Sequence, residues 1–234
     1  MKLGIMQPYF FPYIGYWQLM NAVDKYVIYD DVNFIKGGWI NRNRILINGK
    51  SQYFNVPMNG ASSFKLINEI QINNSEINIT KNMKSIYMAY HKAPYFDKVY
   101  TLVDEIYKYK TKNLSLFLIN SIRHIAKYLG INTEIIISSM LSKNNELKGQ
   151  DKVIDICKNL KATDYYNAIG GMELYSFDTF QKNGINLSFL KTNEIRYKQF
   201  NNEFVPNLSI IDVMMFNSKE EIKIMLNDYN IVNN

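Results

Sequence analysis

Residues able to do chemistry gather at the ends of short apolar runs in this chain. The first run, Leu3 to Met6, leads into Gln7-Pro8-Tyr9-Phe10-Phe11-Pro12-Tyr13 and then Ile14-Gly15-Tyr16. Gln7, Tyr9, Tyr13 and Tyr16 supply amide and hydroxyl groups, and Gly15 lets a ligand approach the backbone. The second run, Tyr26 to Tyr29, ends in Asp30-Asp31. Such a pair can take a proton from a nucleophile or hold Mg²⁺ beside a pyrophosphate. Asn41-Arg42-Asn43-Arg44 contains two of the four arginines in a chain that otherwise uses lysine. Arginine is the residue for bidentate contact with phosphate or carboxylate, and the nearby Trp39 can stack on a base or sugar. Ser138-Ser139 and Gly170-Gly171 close two later runs, and glycines there leave backbone N–H groups open to an oxyanion. The candidate catalytic residues are thus Asp30, Asp31, Tyr13 and Tyr16. The candidate binding residues are Gln7, Tyr9, Gly15, Trp39, Asn41, Arg42, Asn43, Ser139, Gly170 and Gly171. Each has a structural reading beside the chemical one: an apolar plug at the sheet end, an aspartate capping a turn, arginines on a solvated turn.

Other chemistries lack their residues. His91 and His124 have no partner at metal-ligand spacing, so no metal site is expected. Cys157 falls on the apolar face of its helix and reads as core. No Ser/His/Asp set and no glycine-rich phosphate loop is present.

These residues need elements that bring them together. Strand Leu3–Met6, a loop to Tyr16, a helix over Trp17–Val23 and strand Tyr26–Tyr29 form a βαβ unit. Ligands of such units sit beyond the carboxyl ends of the strands, so Gln7 to Tyr16 and Asp30-Asp31 should share one crevice. Residues 33–75 read as a β-rich insert. Ile45–Ile47 and Tyr53–Val56 flank Asn48-Gly49, a pair suited to a type I′ hairpin, and Leu66–Ile72 offers another strand. Residues 76–130 read as a helical block, with helices over Glu76–Ala89, Phe96–Lys110 and Leu114–Leu129. Alternation then resumes. Strands are expected at 134–137, 164–169 and 185–190, and helices at 151–160, 174–182 and 209–216. The spacing predicts a single α/β domain over residues 1–234 with a Rossmann-like, mostly parallel sheet.

Composition narrows the classes. The chain has 234 residues, and a 47% hydrophobic share is ample for a core. No run approaches eighteen apolar residues, and the N-terminus lacks the layout of a signal peptide. One cysteine excludes an internal disulfide framework, and a cytoplasmic protein is expected. The charge of +6 is spread without a dense basic run, so no nucleic-acid partner is expected.

Two resemblances sharpen this reading. Tyr13-Ile14-Gly15-Tyr16 is similar in placement to the HxGH signature of the nucleotidyltransferase superfamily, with tyrosine in both histidine positions. More extensively, the chain resembles the WbqC-like family. The likeness is carried by MQPYFFPYIGYWQLMNAVDKYVIYDDVNFIKGGWINRNRI, by YHKAPYFDKVY at Tyr90 to Tyr100, by DICKNLKATDYY before Gly170, and by FVPNLSIIDVMMFN at Phe204 to Asn217. That family is tied to gene clusters for bacterial surface polysaccharides, O-antigens among them.

The resemblance implies a transferase that attaches an acyl or aminoacyl group to a nucleotide-linked amino sugar, with no certain cofactor. The alternatives are nucleotidyl transfer on a YxGY loop, which needs Mg²⁺, and non-catalytic binding of a sugar nucleotide. Nucleotidyl transfer builds negative charge on phosphate oxygens, and a neutral phenol does not offset it. If acyl transfer is the reaction, the chain releases no pyrophosphate from nucleoside triphosphate, Mg²⁺ and sugar phosphates. Tyr13→His with Tyr16→His gains no such activity either. Steady pyrophosphate release by the unaltered chain would establish the nucleotidyl reading instead.

Overall fold

The structure is a computed structural model that describes residues 1–201 and 203–233. Six strands form the central sheet: β1 (Lys2–Met6), β2 (Lys25–Ile28), β7 (Glu134–Ile137), β8 (Asp164–Ala168), β9 (Asn186–Thr192) and β10 (Tyr229–Val232). Their spatial order is β10-β9-β8-β1-β2-β7. All pairs are parallel except β9 with β10. The fold is α/β with a Rossmann-like sheet. The chain leaves β1 toward β2 and β7, then returns through α5 (Gly149–Asn159) to β8 on the other flank of β1. The connections therefore diverge between β1 and β8, and that divergence opens a crevice at the carboxyl edge.

The sheet is covered on both faces. Leu3, Ile5 and Val27 face α5 and α6 (Phe177–Lys182), where Val153, Ile154, Ile156, Cys157 and Phe180 are buried. The opposite face carries Tyr26 and Ile28 against α1 (Ile14–Asn21). Gly4 faces that side because a Cβ there would meet the Tyr26 ring at 3.0 Å.

Residues 29–133 separate β2 from β7. Hairpin β3 (Arg42–Ile47) and β4 (Lys50–Asn55) turns at Asn48-Gly49 with φ of 51° and 72°, as the Asn-Gly pair predicts. A second, minimal hairpin joins β5 (Met58–Asn59) to β6 (Gln71–Ile72). The expected strand over Leu66–Ile72 is thus only its last two residues. Glu69 turns back to cap the Leu66 N–H at 2.8 Å and sets a 3-10 turn over Ile67–Glu69. Helices α2 (Glu76–Tyr90), α3 (Phe96–Tyr107) and α4 (Leu114–Leu129) follow.

Other boundaries shift for local reasons. α1 begins at Ile14, three residues before the expected start, because Tyr13 is extended and occupies the cap position. Arg42 and Asn43 belong to β3 rather than to a turn. Gly170 and Gly171 lie in a 3-10 segment, Ile169–Leu174, so α6 starts only after the Ser176 cap. Beyond α7 (Ile210–Phe216), α8 (Lys219–Met225) and β10 complete the chain. α8 carried a legible signal, since Ser218 and Glu221 form a capping box. Among the described residues no helix is long and apolar enough to cross a membrane.

The aromatic loop after β1 is fixed from β3. Phe10 and Phe11 are fully buried, and Phe11 has φ of +43°, an uncommon backbone for a bulky residue. Asn43 Nδ2 donates to the Phe10 carbonyl at 3.1 Å and to the Phe11 carbonyl at 2.9 Å. Ser209 Oγ donates to the Phe11 carbonyl at 2.8 Å. Asn43→Ala removes a buried donor from both carbonyls. It should cost about 1–3 kcal/mol, because the Phe10 carbonyl is left a desolvated acceptor with no donor while Ser209 Oγ still serves that of Phe11. Urea denaturation measures this; a loss below about 0.5 kcal/mol, the scale of an ordinary surface substitution, would show that the loop holds itself.

Candidate functional site

The carboxyl ends of β1, β2, β7, β8 and β9 share one edge of the sheet, since these strands are parallel neighbours. Gln7, Asp30-Asp31, Ser138-Ser139 and Gly170-Gly171 therefore lie along it. They do not form one pocket. Two constellations stand there, one open and one closed.

The open one is a cleft built around Tyr13. Tyr9, Pro12, Tyr13, Trp39, Asn43, Arg44 and Asn207 line a lobe of about 340 Å³. A second lobe of about 370 Å³ is lined by Tyr13, Ile14, residues 192–197, Phe204 and residues 206–208 with Val213. Tyr13 and Asn207 belong to both, so the lobes adjoin there. The loop reaches this position because Trp17 Nε1 and the Ile210 N–H both donate to the Pro12 carbonyl at 3.0 Å. Tyr13 then stands at the first turn of α1 with no side chain capping that turn; the Tyr16 N–H donates to the Tyr13 carbonyl at 3.1 Å, and the Ile14 and Gly15 N–H groups have no side-chain cap. Gly15 is required beneath it. A Cβ at Gly15 would sit 2.4 Å from the Tyr13 hydroxyl and 2.6 Å from Thr192 Oγ1.

Arg44 forms the charged wall of the first lobe. Its Nη2 donates to the Asn207 carbonyl at 3.1 Å, and the guanidinium lies 5.4 Å from the Trp39 ring centroid. Its Nε is buried with no hydrogen-bond partner. A buried donor without an acceptor costs free energy, which a ligand oxygen would recover. Trp39 stacks on Tyr53 at 6.3 Å, and Arg42 lies 4.7 Å over Tyr53. Arg42 is turned away from the lobe, since its guanidinium donates to the Gly37 and Gly38 carbonyls. The alternation of β3 puts Arg42 and Arg44 on one face, so two guanidinium groups and two rings form a continuous, partly exposed platform.

The remaining tyrosines divide by burial. Tyr9 packs against Tyr16 at 5.7 Å. Tyr16 is buried, donates to the Gln7 carbonyl at 3.3 Å, and meets Trp17 and Tyr26 edge-on. Burial pushes its phenol well above the ordinary value, so it stays neutral. Asn41 donates to the Val56 carbonyl at 3.3 Å and ties β3 to the end of β4.

The closed constellation centres on Asp30 and Asp31. Asp30 is 2% exposed; it accepts from Ser115 Oγ at 3.1 Å and from Ser139 N and Oγ at 3.0 and 2.8 Å. It thereby fastens the first turn of α4 to the end of β7. Asp31 Oδ2 accepts from Lys143 Nζ at 2.9 Å and Lys152 Nζ at 3.0 Å. Both lysine side chains are less than a tenth exposed. Lys152 also donates to the Asp31 carbonyl, and Lys143 to that of Ser138. Burial pushes the Asp31 carboxyl up. Hydrogen bonds from Lys143 and Lys152, with the Lys152 charge, pull it further down, to a net value below the ordinary range. Neither lysine had a local sequence signal: Lys152 reaches Asp31 across 121 residues.

Gly171 lies against Asn167, whose Nδ2 would be 3.1 Å from an added Cβ, while Gly170 is open to solvent. A third buried carboxylate, Asp212 of α7, accepts from Tyr197 and Gln199 at 2.7 Å and from Tyr90 at 2.8 Å. It joins α2, α7 and the segment after β9. Burial raises its pKa, and these neutral donors offset only part of the rise.

A Rossmann-like sheet with an aromatic and cationic cleft at its carboxyl edge places the chain in the α/β class. Residues 7–224 match the model of the WbqC-like protein family, and the chain belongs to that family. The chain is also 28% identical, over 218 residues, to a Mycobacterium tuberculosis (strain ATCC 25618 / H37Rv) protein described as "Uncharacterized protein Rv1507c". That alignment covers 91% of this chain and 92% of the relative. No solved structure matches the chain.

Asp31 gives a pH dependence of defined sign. A carboxyl held below its ordinary value stabilises the fold fully above pH of about 4, and the contribution drains as pH falls further. Asp31→Asn leaves two buried ammonium groups without their carboxylate and should cost about 3–5 kcal/mol at neutral pH. It should also flatten the acid limb of stability against pH. Denaturation at pH 7 and below pH 4 checks both; an acid limb as steep as in the unaltered chain would assign the limb to other carboxylates.

Proposed function

We propose that the chain is a surface-polysaccharide biosynthesis protein of the O-antigen type. In this reading it binds a nucleotide-linked amino sugar in the Tyr13 cleft and transfers an acyl or aminoacyl group to its amine. It acts as a single cytoplasmic domain over residues 1–234, with no nucleic acid as partner. The observation that carries the binding half is Arg44: a buried, unpartnered Nε on a guanidinium stacked over Trp39, beside the uncapped first turn of α1. A diphosphate wants charge-assisted donors and free N–H groups, and a base or sugar ring wants a flat aromatic face. The first lobe offers the guanidinium and the ring within about 340 Å³, and Ile14 at the first turn of α1 lines the adjoining lobe, which leaves room for a second reactant.

In the transfer, the amine nitrogen attacks the acyl carbonyl carbon. A C–N bond forms, the bond to the donor's leaving group breaks, and the amine proton departs with that group or to solvent. Tyr13, common to both lobes, is the residue assigned to orient the reactants. Gln7, Tyr9, Tyr16, Gly15, Asn41 and Asn43 shape the cleft and its loop. Asp30 and Asp31 support it from behind: both Asp30 oxygens hold Ser115 and Ser139, and Asp31 Oδ2 holds the two lysines. Gly170 and Gly171 border the same carboxyl edge.

The test is calorimetric titration with UDP-N-acetylglucosamine as a representative sugar nucleotide. Binding is expected, and Arg44→Ala should weaken it by about 1.5–3 kcal/mol, the range for a hydrogen bond to a charged group. Arg44→Lys should recover little, since lysine keeps the charge and loses the planar fork. Stabilisation by nucleoside triphosphate with Mg²⁺, and none by the sugar nucleotide, would favour nucleotidyl transfer. Indifference of sugar-nucleotide affinity to Arg44 would remove the cleft from the reading.

A further inference from the structure

The insert between β2 and β7 opens with a stretch of a single sign of charge. From Val32 to Asn68 the chain carries Lys36, Arg42, Arg44, Lys50 and Lys65, and neither aspartate nor glutamate. Among the described residues none of these cations has a carboxylate at ion-pair distance. The acids that flank the stretch are engaged elsewhere. Asp30 and Asp31 are buried, and Glu69 is turned onto the Leu66 N–H.

Two turns of this stretch stand side by side at the surface. The first is closed by the Gly38 N–H on the Ile35 carbonyl at 3.3 Å, the second by the Lys65 N–H on the Ser62 carbonyl at 3.1 Å. Phe34 N donates to the Lys65 carbonyl and Ile67 N to that of Val32, both at 2.9 Å, and Asn33 Nδ2 donates to the Ser63 carbonyl at 2.8 Å. Phe34 and Ile67 are buried and anchor the pair. The turns themselves present apolar side chains to water: Ile35 is 53% exposed and Phe64 93%. Backbone bonds thus hold an aliphatic and a phenyl group where each costs free energy that an apolar contact would recover. Lys36 and Lys65 flank them, and both are exposed.

The surface continues toward the β3–β4 hairpin. Arg42 donates to the Gly37 and Gly38 carbonyls of the first turn and lies over Tyr53, which stacks on Trp39. Both rings are exposed. Apolar tips, a Trp–Tyr pair and interspersed cations match the layers of a membrane surface. The tips enter the acyl boundary, the amphipathic rings lie at headgroup level, and the cations meet anionic headgroups. The tips project from tight turns rather than lining a groove, so a fluid apolar phase fits them better than the side chains of a folded partner. We propose that the turns carrying Ile35 and Phe64, with the Trp39–Tyr53 face, dock this chain on an anionic lipid bilayer. Trp39 also lines the first lobe of the Tyr13 cleft, so docking brings that lobe to the bilayer surface.

Co-sedimentation of the full chain with lipid vesicles tests this. The probes are vesicles of phosphatidylglycerol and phosphatidylcholine in equal parts, and vesicles of phosphatidylcholine alone. The chain binds the anionic vesicles, and binds the neutral ones about tenfold more weakly or less. Ile35→Ser with Phe64→Ser weakens binding to the anionic vesicles about tenfold or more, the scale for an aromatic side chain kept from an apolar phase. Lys36→Gln with Lys65→Gln weakens it about fivefold per lysine and flattens its dependence on salt. All four side chains are exposed, so each variant keeps the Tm of the unaltered chain. Failure to bind the anionic vesicles overturns the proposal, as does equal binding to the two kinds of vesicle or undiminished binding in either variant. Binding of a single-stranded oligouridylate through the same lysines, with no binding to vesicles, would assign the face to nucleic acid and overturn it too. UDP-N-acetylglucosamine is expected to bind both variants unaltered, so the outcome here stands apart from that at the Tyr13 cleft.

Discussion

One buried carboxamide holds the site in place. Asn43 reaches from β3 across to the loop after β1 and satisfies two carbonyls that no neighbouring N–H serves. Its own Oδ1 accepts from the Arg44 N–H at 2.8 Å, so the same side chain fixes the strand that carries the cleft's guanidinium. With Phe10 and Phe11 driven into the core, the chain must emerge at Pro12 with Tyr13 outward. Phe10 packs on Phe54 and Phe117 at 4.9 and 6.4 Å, which ties the loop to the hairpin and to α4. The insert therefore locks the carboxyl edge of the sheet rather than decorating it.

Two buried carboxylates answer burial in opposite ways. Asp31 meets two ammonium groups and is held in its charged form. Asp212 meets only neutral donors, and its carboxyl is pushed up. The first is fixed by ion pairs; the second joins distant segments by hydrogen bonds alone. Asp30 also ties segments together through neutral donors, since hydroxyl and backbone N–H groups meet both its oxygens.

Much of this was legible in the sequence where the signal is local. Short apolar runs marked the core strands, and Asn48-Gly49 marked the hairpin. The crowding of aromatic residues in Gln7 to Tyr16 marked the edge where the cleft stands. What was illegible depended on long reach. Arg42 and Arg44 look equivalent in sequence, and the choice between them is made by Asn207, 163 residues away from Arg44. Gly37 and Gly38 take up Arg42 locally, a contact that Gly37 with φ of +73° makes feasible. Lys143 and Lys152 sit in a polar stretch with no motif. Their burial follows only from α5 crossing back toward β2.

The central claim is that the Tyr13 cleft receives the diphosphate of a sugar nucleotide. A crystal structure of the chain grown with UDP-N-acetylglucosamine tests it most directly. The account predicts phosphate oxygens within hydrogen-bond distance of Arg44 Nε and the N–H groups of Ile14 and Gly15, with a ring against Trp39. A ligand bound elsewhere on the chain, with Arg44 Nε still without a partner, would contradict it.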